Sequence, residues 1–183
     1  MKTLALATLL LAAAACAGPV ATLRPVADRV LVVARTTTPE DRPIAEDAAD
    51  RLAELLRRRV TTLRAGQFLR ETTVHAAHLW APRLLEQLER GGWPSPDEAG
   101  ALASRLQIAE IVAVEVTTYA QAWGRRAKTT RVGLAAHAFD VQAGAPYVSA
   151  HADVALSEEH GRAFRAALDD AVNDLAGLLL GRR

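Results

Sequence analysis

The chain has 183 residues, half of them hydrophobic, and 22 Lys and Arg against 21 Asp and Glu. Once a leader carrying Lys2 is set aside the two signs balance, which argues against a general binder of nucleic acid or anionic membrane, because such proteins rely on a basic footprint. A single cysteine excludes a disulfide framework or a cysteine-based metal cluster, so a chain of one-domain size must stand on its apolar core.

Residues 1–15 read as a secretory signal peptide: Lys2, an apolar run from Leu4 to Ala12, then Ala13, Ala14 and Ala15 as a small-residue cleavage site. The run falls short of the roughly 20 residues that span a bilayer. Cys16 then stands where acylation by a palmitate-type chain would create a lipid anchor. It resembles the lipobox of bacterial lipoproteins, although Ala13 replaces the usual Leu; the alternative is an ordinary leader followed by a chance cysteine. Ala17, in place of the Asp that commonly retains such proteins at the inner membrane, points to the periplasmic face of the outer membrane. Residues 16–28, with Gly18, Pro19 and Pro25, form the anchor and tether, and residues 17–28 reach at most about 40 Å. Residues 29–183 are expected to form one domain.

Arg29 to Ala34 is a short apolar run, the mark of a strand buried on both faces. Ala45, Ala48, Ala49, Leu52, Leu55, Leu56 and Val60 recur at helical spacing, so a helix is expected from about Pro43, with Arg57, Arg58 and Arg59 suiting its negative C-terminal end. Gly66 to Thr73 allows a short strand through Phe68, Leu69, Thr72 and Thr73. Leu84, Leu85 and Leu88 mark a helix entered at Pro82 and closed by Gly91 and Gly92. Ser95, Pro96 and Glu98 spell a capping box ahead of the helix carrying Ala99, Leu102, Ala103 and Leu106. Ile108 to Tyr119 is the expected central strand, Trp123 to Lys128 a basic turn, and Thr129 to Val141 with Tyr147 to Leu156 a hairpin. Ser157 with Glu158 and Glu159 is expected to open a last helix faced by Phe164, Leu168, Ala171, Val172, Leu175 and Leu179. The fold class is therefore α/β, a single mixed sheet with helices packed on it, in the order β-α-(β)-α-α-β-β-β-α.

That order, the buried strand Val30 to Ala34, the Ala/Leu/Arg helix Ala45 to Arg59, the leucine helix ending in Gly91 and Gly92, the passage Ala103 to Val112 and the phrase Ala138 to Gly144 are similar to a superfamily of bacterial envelope lipoproteins and periplasmic domains typified by LpoB, CsgG and the N-terminal domain of TolB. The resemblance implies an α/β sandwich with a binding or assembly role and no catalysis. Two departures stand out: Ile108-Ala109-Glu110 replaces the usual Gly-Ala-Asp, and the loop after the first strand lacks the common Pro-Phe. The chain lacks a spare segment for a CsgG-type pore and a propeller like that of TolB, and its tether is short for an LpoB-type regulator.

Candidates for reactive chemistry reduce to the histidines, since no phosphate-binding loop, nucleophile elbow or metal-binding run is present. His75 and His78 either share a helix face as two metal ligands or are a surface or partly buried pair. If the hairpin loop has odd length, His137 and His151 stand directly opposite each other, on one face with Phe139, Tyr147 and Asp153. They then form either a metal or acid/base site, or simply half-buried residues with satisfied hydrogen bonds. His160 falls in the first turn of the last helix. Trp123, Arg125, Arg126 and Lys128 are the candidate partner-binding group, with plain solvated charge as the alternative reading. Trp80, Trp93 and Trp123 are expected as partly buried residues of the core or its rim, or, if exposed together, as a partner surface. The function expected is a non-catalytic outer-membrane lipoprotein acting as adaptor or assembly factor for an envelope or secretion complex, with no cofactor, no resident metal and no nucleic acid. The alternatives are a short-reach regulator of a peptidoglycan synthase, or a metal-dependent hydrolase or sensor using His137 and His151.

Overall fold

Seven residues, Arg29–Arg35, form strand β1, and it is the strand on which the rest of the parallel half is built. Leu31 and Val33 point into one core, Val30 and Val32 into the other, which is why the run is apolar without alternation. The structure, a computed structural model, describes residues 29–74, 79–123, 128–158 and 163–181. The leader, Cys16 and the tether lie outside these residues, as do His75, His78, Arg125, Arg126 and His160.

A short 3-10 turn, Pro39–Asp41, leads into α1, Arg42–Leu56, with Pro43 in the first turn where its missing N–H is no loss. Helix α1 stops at Leu56, one turn before Val60, and residues 57–60 turn the chain into β2, Thr61–Arg64, parallel to β1 with Leu31 beside Leu63. The optional strand therefore exists, but ahead of its expected place. Residues Ala65–Val74 are helix α2. Phe68 and Thr72 are buried one turn apart, and the hydroxyls of Thr72 and Thr73 donate to the Leu69 carbonyl at 2.8 and 3.0 Å. Back-bonding to the preceding turn is how β-branched threonines are accommodated in a helix.

Helix α3, Ala81–Glu89, buries Leu84, Leu85 and Leu88. Helix α4, Pro96–Leu106, carries the capping box: Glu98 N–H donates to Ser95 Oγ at 3.4 Å and Ser95 N–H to Glu98 Oε2 at 2.8 Å. Strand β3, Ile108–Trp123, lies beside β1 in parallel and is the sheet's centre. Strands β4, Lys128–Asp140, and β5, Ala145–Glu158, follow as an antiparallel hairpin, giving the order β2-β1-β3-β4-β5. Ser157 does not open the last helix, because the ladder continues through Thr129–Ser157 and Lys128–Glu158 pairs. Helix α5 is described from Ala163 to Leu179.

Helices α1 and α5 seal one face against Val30, Val32, Val112, Leu134, Ala136 and Ala150. The small residues of β4 and β5 let α5 lie close to the sheet. Arg51 ties the two helices by its ion pair to Asp169 on α5, and it pairs with Asp47 one turn back on α1 at 2.8 Å. Helices α2, α3 and α4 cover the other face over Leu31, Val33, Ile111, Ala113 and Phe139. Their coverage ends there. Beyond the last β1 pair, Arg35 with Glu115, strands β3, β4 and β5 run on as a three-stranded overhang. Among the described residues, no helix is long and apolar enough to cross a membrane.

Candidate functional site

The carboxyl end of β1 lies against the middle of the longer β3, and through it against β4 and β5. The register places Arg35, Glu115, Ala135 and His151 in one row across β1, β3, β4 and β5, and Ala113, His137 and Ser149 in the next. All stand on the face that α2 to α4 leave half open.

Arg35 is fixed from two sides. Its Nη2 donates to the Gly91 carbonyl at 3.1 Å, and its guanidinium lies 4.7 Å above the Trp93 ring. Trp93 in turn stacks on Phe139, with centroids 5.0 Å apart and planes 16° from parallel. The glycine pair makes this possible: Gly91 adopts φ 91°, and a Cβ on Gly92 would come within 2.7 Å of Gln87 Cγ. Only that tight reversal after α3 brings an indole back over the sheet. Trp93 and Trp80 are thus at the rim of the core, as expected. Burial pulls the Arg35 guanidinium down from its ordinary value, and Glu115 beside it acts in the other direction.

His137 Nδ1 lies 2.8 Å from Ser149 Oγ, and its Nε2 is 3.7 Å from Glu115 Oε2, beyond hydrogen-bond reach. Its pKa is lowered, first by burial and then by Arg35 and His151, with Glu115 opposing. The imidazole is therefore neutral at neutral pH. His151 is exposed, its ring 6.2 Å from that of His137 and nearly perpendicular to it.

The two histidines share a face but are diagonal neighbours, not opposite ones: His137 pairs with Ser149 and His151 with Ala135. The reason is the hairpin itself, whose turn holds residues 141–144 and whose register shifts at Ala138/Phe139. The same irregularity sends Tyr147 to the opposite face, against the core under α5. Asp153 stays on the histidine face, held by Arg131 at 2.5 Å. Among the described residues, no three of His, Cys, Asp or Glu are grouped to hold a metal ion. Backbones of Trp123 and Lys128 close the β3–β4 ladder as its last pair, while their side chains are outside the described set.

Sequence reading missed Arg35, Glu115 and Ser149. Arg35 ends an apolar run and Glu115 interrupts another, so each looks like a boundary residue until parallel pairing sets them side by side.

Ser149, His137 and Glu115 line up as hydroxyl, imidazole and carboxylate. A serine standing on a sheet face, however, has no convergent backbone N–H donors, because strand N–H groups point sideways into the ladder. The arrangement is suited to recognition: one cation, one anion, two imidazoles and a hydroxyl on an open surface.

The fold and this surface define a class: a mixed-sheet α/β domain sealed on one face and half open on the other. No protein-family model matches the chain, and no curated protein matches it in sequence. Solved structures do. A point variant of the PelC dodecamer from Paraburkholderia phytofirmans is similar at 14% identity and TM-score 0.52, over 89% of this chain and 94% of that one. Lipoprotein GNA1162 from Neisseria meningitidis is similar at 13% identity and TM-score 0.51, over 83% and 99%. The LpoB C-terminal domain from Escherichia coli overlaps at 16% identity and TM-score 0.41, over 73% and 87%. What PelC and GNA1162 share with this chain at these identities is the fold.

Proposed function

We propose that the protein is a lipid-anchored outer-membrane lipoprotein, facing the periplasm, that serves without catalysis as an adaptor or assembly factor for an envelope or secretion complex. The observation that carries this reading is Cys16, placed at the end of a leader-like segment and followed, after residues 17–28, by a domain of this fold. Similarity to lipoprotein GNA1162 supports the anchor, and similarity to PelC, whose solved form is a dodecamer, supports action inside a multi-subunit assembly. The partner surface is the half-open face with Arg35, Glu115, His137, Ser149 and His151, extended by the overhang that ends at the Trp123–Lys128 backbone pair, between which Arg125 and Arg126 fall in the sequence. Reach limits the partner: a tether of about 40 Å holds the domain near the membrane it is anchored in.

Fractionation of a Cys16→Ser variant tests the anchor, and retention in the membrane fraction would remove it. Crosslinking in cells followed by mass spectrometry tests the role. Outer-membrane components are expected; capture of inner-membrane peptidoglycan synthases instead would replace the adaptor with a synthase regulator. The alignment of Ser149, His137 and Glu115 gives a hydrolase its best case, and covalent labelling of Ser149 by a fluorophosphonate probe would establish it.

A further inference from the structure

The balanced net charge of the chain conceals a segregation that the fold creates. Strands β1, β2 and β3 start at one end of the domain, where Arg29 pairs with Thr61 and Ile108, and helices α1, α4 and α5 finish there. The β4–β5 turn closes the same end. An open groove of about 790 Å³ runs along it beside the edge strand β2, lined by five arginines against two glutamates, Glu54 and Glu71. Arg29 is engaged by Glu71, Arg64 by Glu54 at 3.0 Å, and Arg57 only loosely by Glu54 at 3.7 Å. Arg58 and Arg59 are exposed and, among the described residues, make no ion pair or side-chain hydrogen bond. They sit in the turn after α1, at the negative end of the helix dipole, and also line the recess beside the last turn of α5.

The described chain begins at Arg29, inside this groove's lining, so the preceding segment is joined to the domain at the arginine-rich end. We propose that this end is a docking surface for the phosphate-bearing headgroups of an anionic phospholipid bilayer. The proposal rests on the lipid-anchor reading for the position of the membrane: a tether attached beside the groove holds those arginines within reach of the headgroups. Charge complementarity supplies the attraction, and guanidinium groups match phosphate oxygens through paired N–H donors. An acyl chain with a basic patch makes a two-signal attachment, more durable than a single chain. Docked in this way, the domain turns its opposite end, where α3 finishes against Arg35 and the overhang projects, away from the lipid and toward a partner.

The test uses the unacylated full chain, Cys16→Ser, so that its outcome is independent of whether the anchor exists. Sedimentation with vesicles of phosphatidylcholine alone, or with added phosphatidylglycerol, measures partitioning, and the common leader cancels in every comparison. Binding is expected to rise with phosphatidylglycerol, to vanish at about 1 M salt, where the screening length is roughly 3 Å, and to fall about 25-fold in Arg58→Gln/Arg59→Gln, roughly fivefold per arginine. The double variant Arg90→Gln/Arg165→Gln removes the same charge at the other end and is expected to bind as the parent does. Equal binding to both vesicles, or equal losses in the two double variants, overturns the proposal. So does binding of a polyglutamate peptide without any vesicle preference, which assigns the groove to an acidic protein segment. Both double variants alter exposed residues, and circular dichroism verifies that they fold. Fractionation of the acylated chain reports on the anchor separately.

Discussion

Trp93→Ala probes the link between core and surface, because one indole carries both the stack on Phe139 and the cation contact with Arg35. Trp93 is half-buried, so truncation costs toward the low end of the 3 to 5 kcal/mol typical of a fully buried aromatic. The offset stack contributes about 1 kcal/mol beyond area. The guanidinium over the ring, partly shielded from water, contributes about 1 kcal/mol more. With the transfer of the remaining apolar surface, the expected loss is about 3 kcal/mol by urea unfolding, read as a lower midpoint at unchanged slope. A double-mutant cycle isolates the cation contact. Arg35→Met keeps the length of the side chain and removes its charge, and its coupling to Trp93→Ala should be about 1 kcal/mol. A coupling indistinguishable from zero would refute the claim that Trp93 holds Arg35 in the polar row. A Trp93→Ala loss under about 1 kcal/mol would refute the stacking argument as well.

His137 titrates below its unfolded value of about 6.5, so its contribution to stability is full above that pH and is lost as pH falls toward the folded value. Unfolding measured between pH 7 and 5 should show this loss, and Arg35→Met should shift the His137 NMR titration upward while burial still keeps it below normal. Gly133→Ala should cost about 1 to 3 kcal/mol, because the new Cβ would meet Thr117 Oγ1 at 2.7 Å and Thr118 Cβ at 3.2 Å in the β3 irregularity; thermal unfolding reads it directly. Ser95→Ala removes the side-chain half of the capping box, leaving the backbone N–H of residue 95 to Glu98, and should cost about 1 kcal/mol, or roughly 2 to 4 °C in melting temperature. A fluorophosphonate probe should leave Ser149 unlabelled, since no oxyanion donors face it.

Local sequence was sufficient wherever a signal and its partner lie within a turn or two. The capping box at Ser95 and Glu98, the proline entries at Pro43 and Pro82, the Gly91–Gly92 stop and the unbroken apolar run of β1 are decided by neighbouring residues, and they stand where the sequence places them. Contacts between distant residues were another matter. Ala65–Val74 became helix because Phe68 and Thr72 found the core beneath α2, and Ser157 stayed in β5 because β4 offered it a ladder partner. Period-two patterning showed that His137 and His151 share a face, but their offset depended on one irregularity near the turn, and a single extra residue shifts every pair beyond it. The polar row has no linear signature at all, and the arginine groove shows in the sequence only as the Arg57–Arg59 run. Arg35 meets Glu115 only through parallel pairing, and Arg29 meets Arg58 and Arg59 only because α1 returns the chain to the starting end of β1; such groupings arise from the crossover of strands and helices, which no window of neighbouring residues contains.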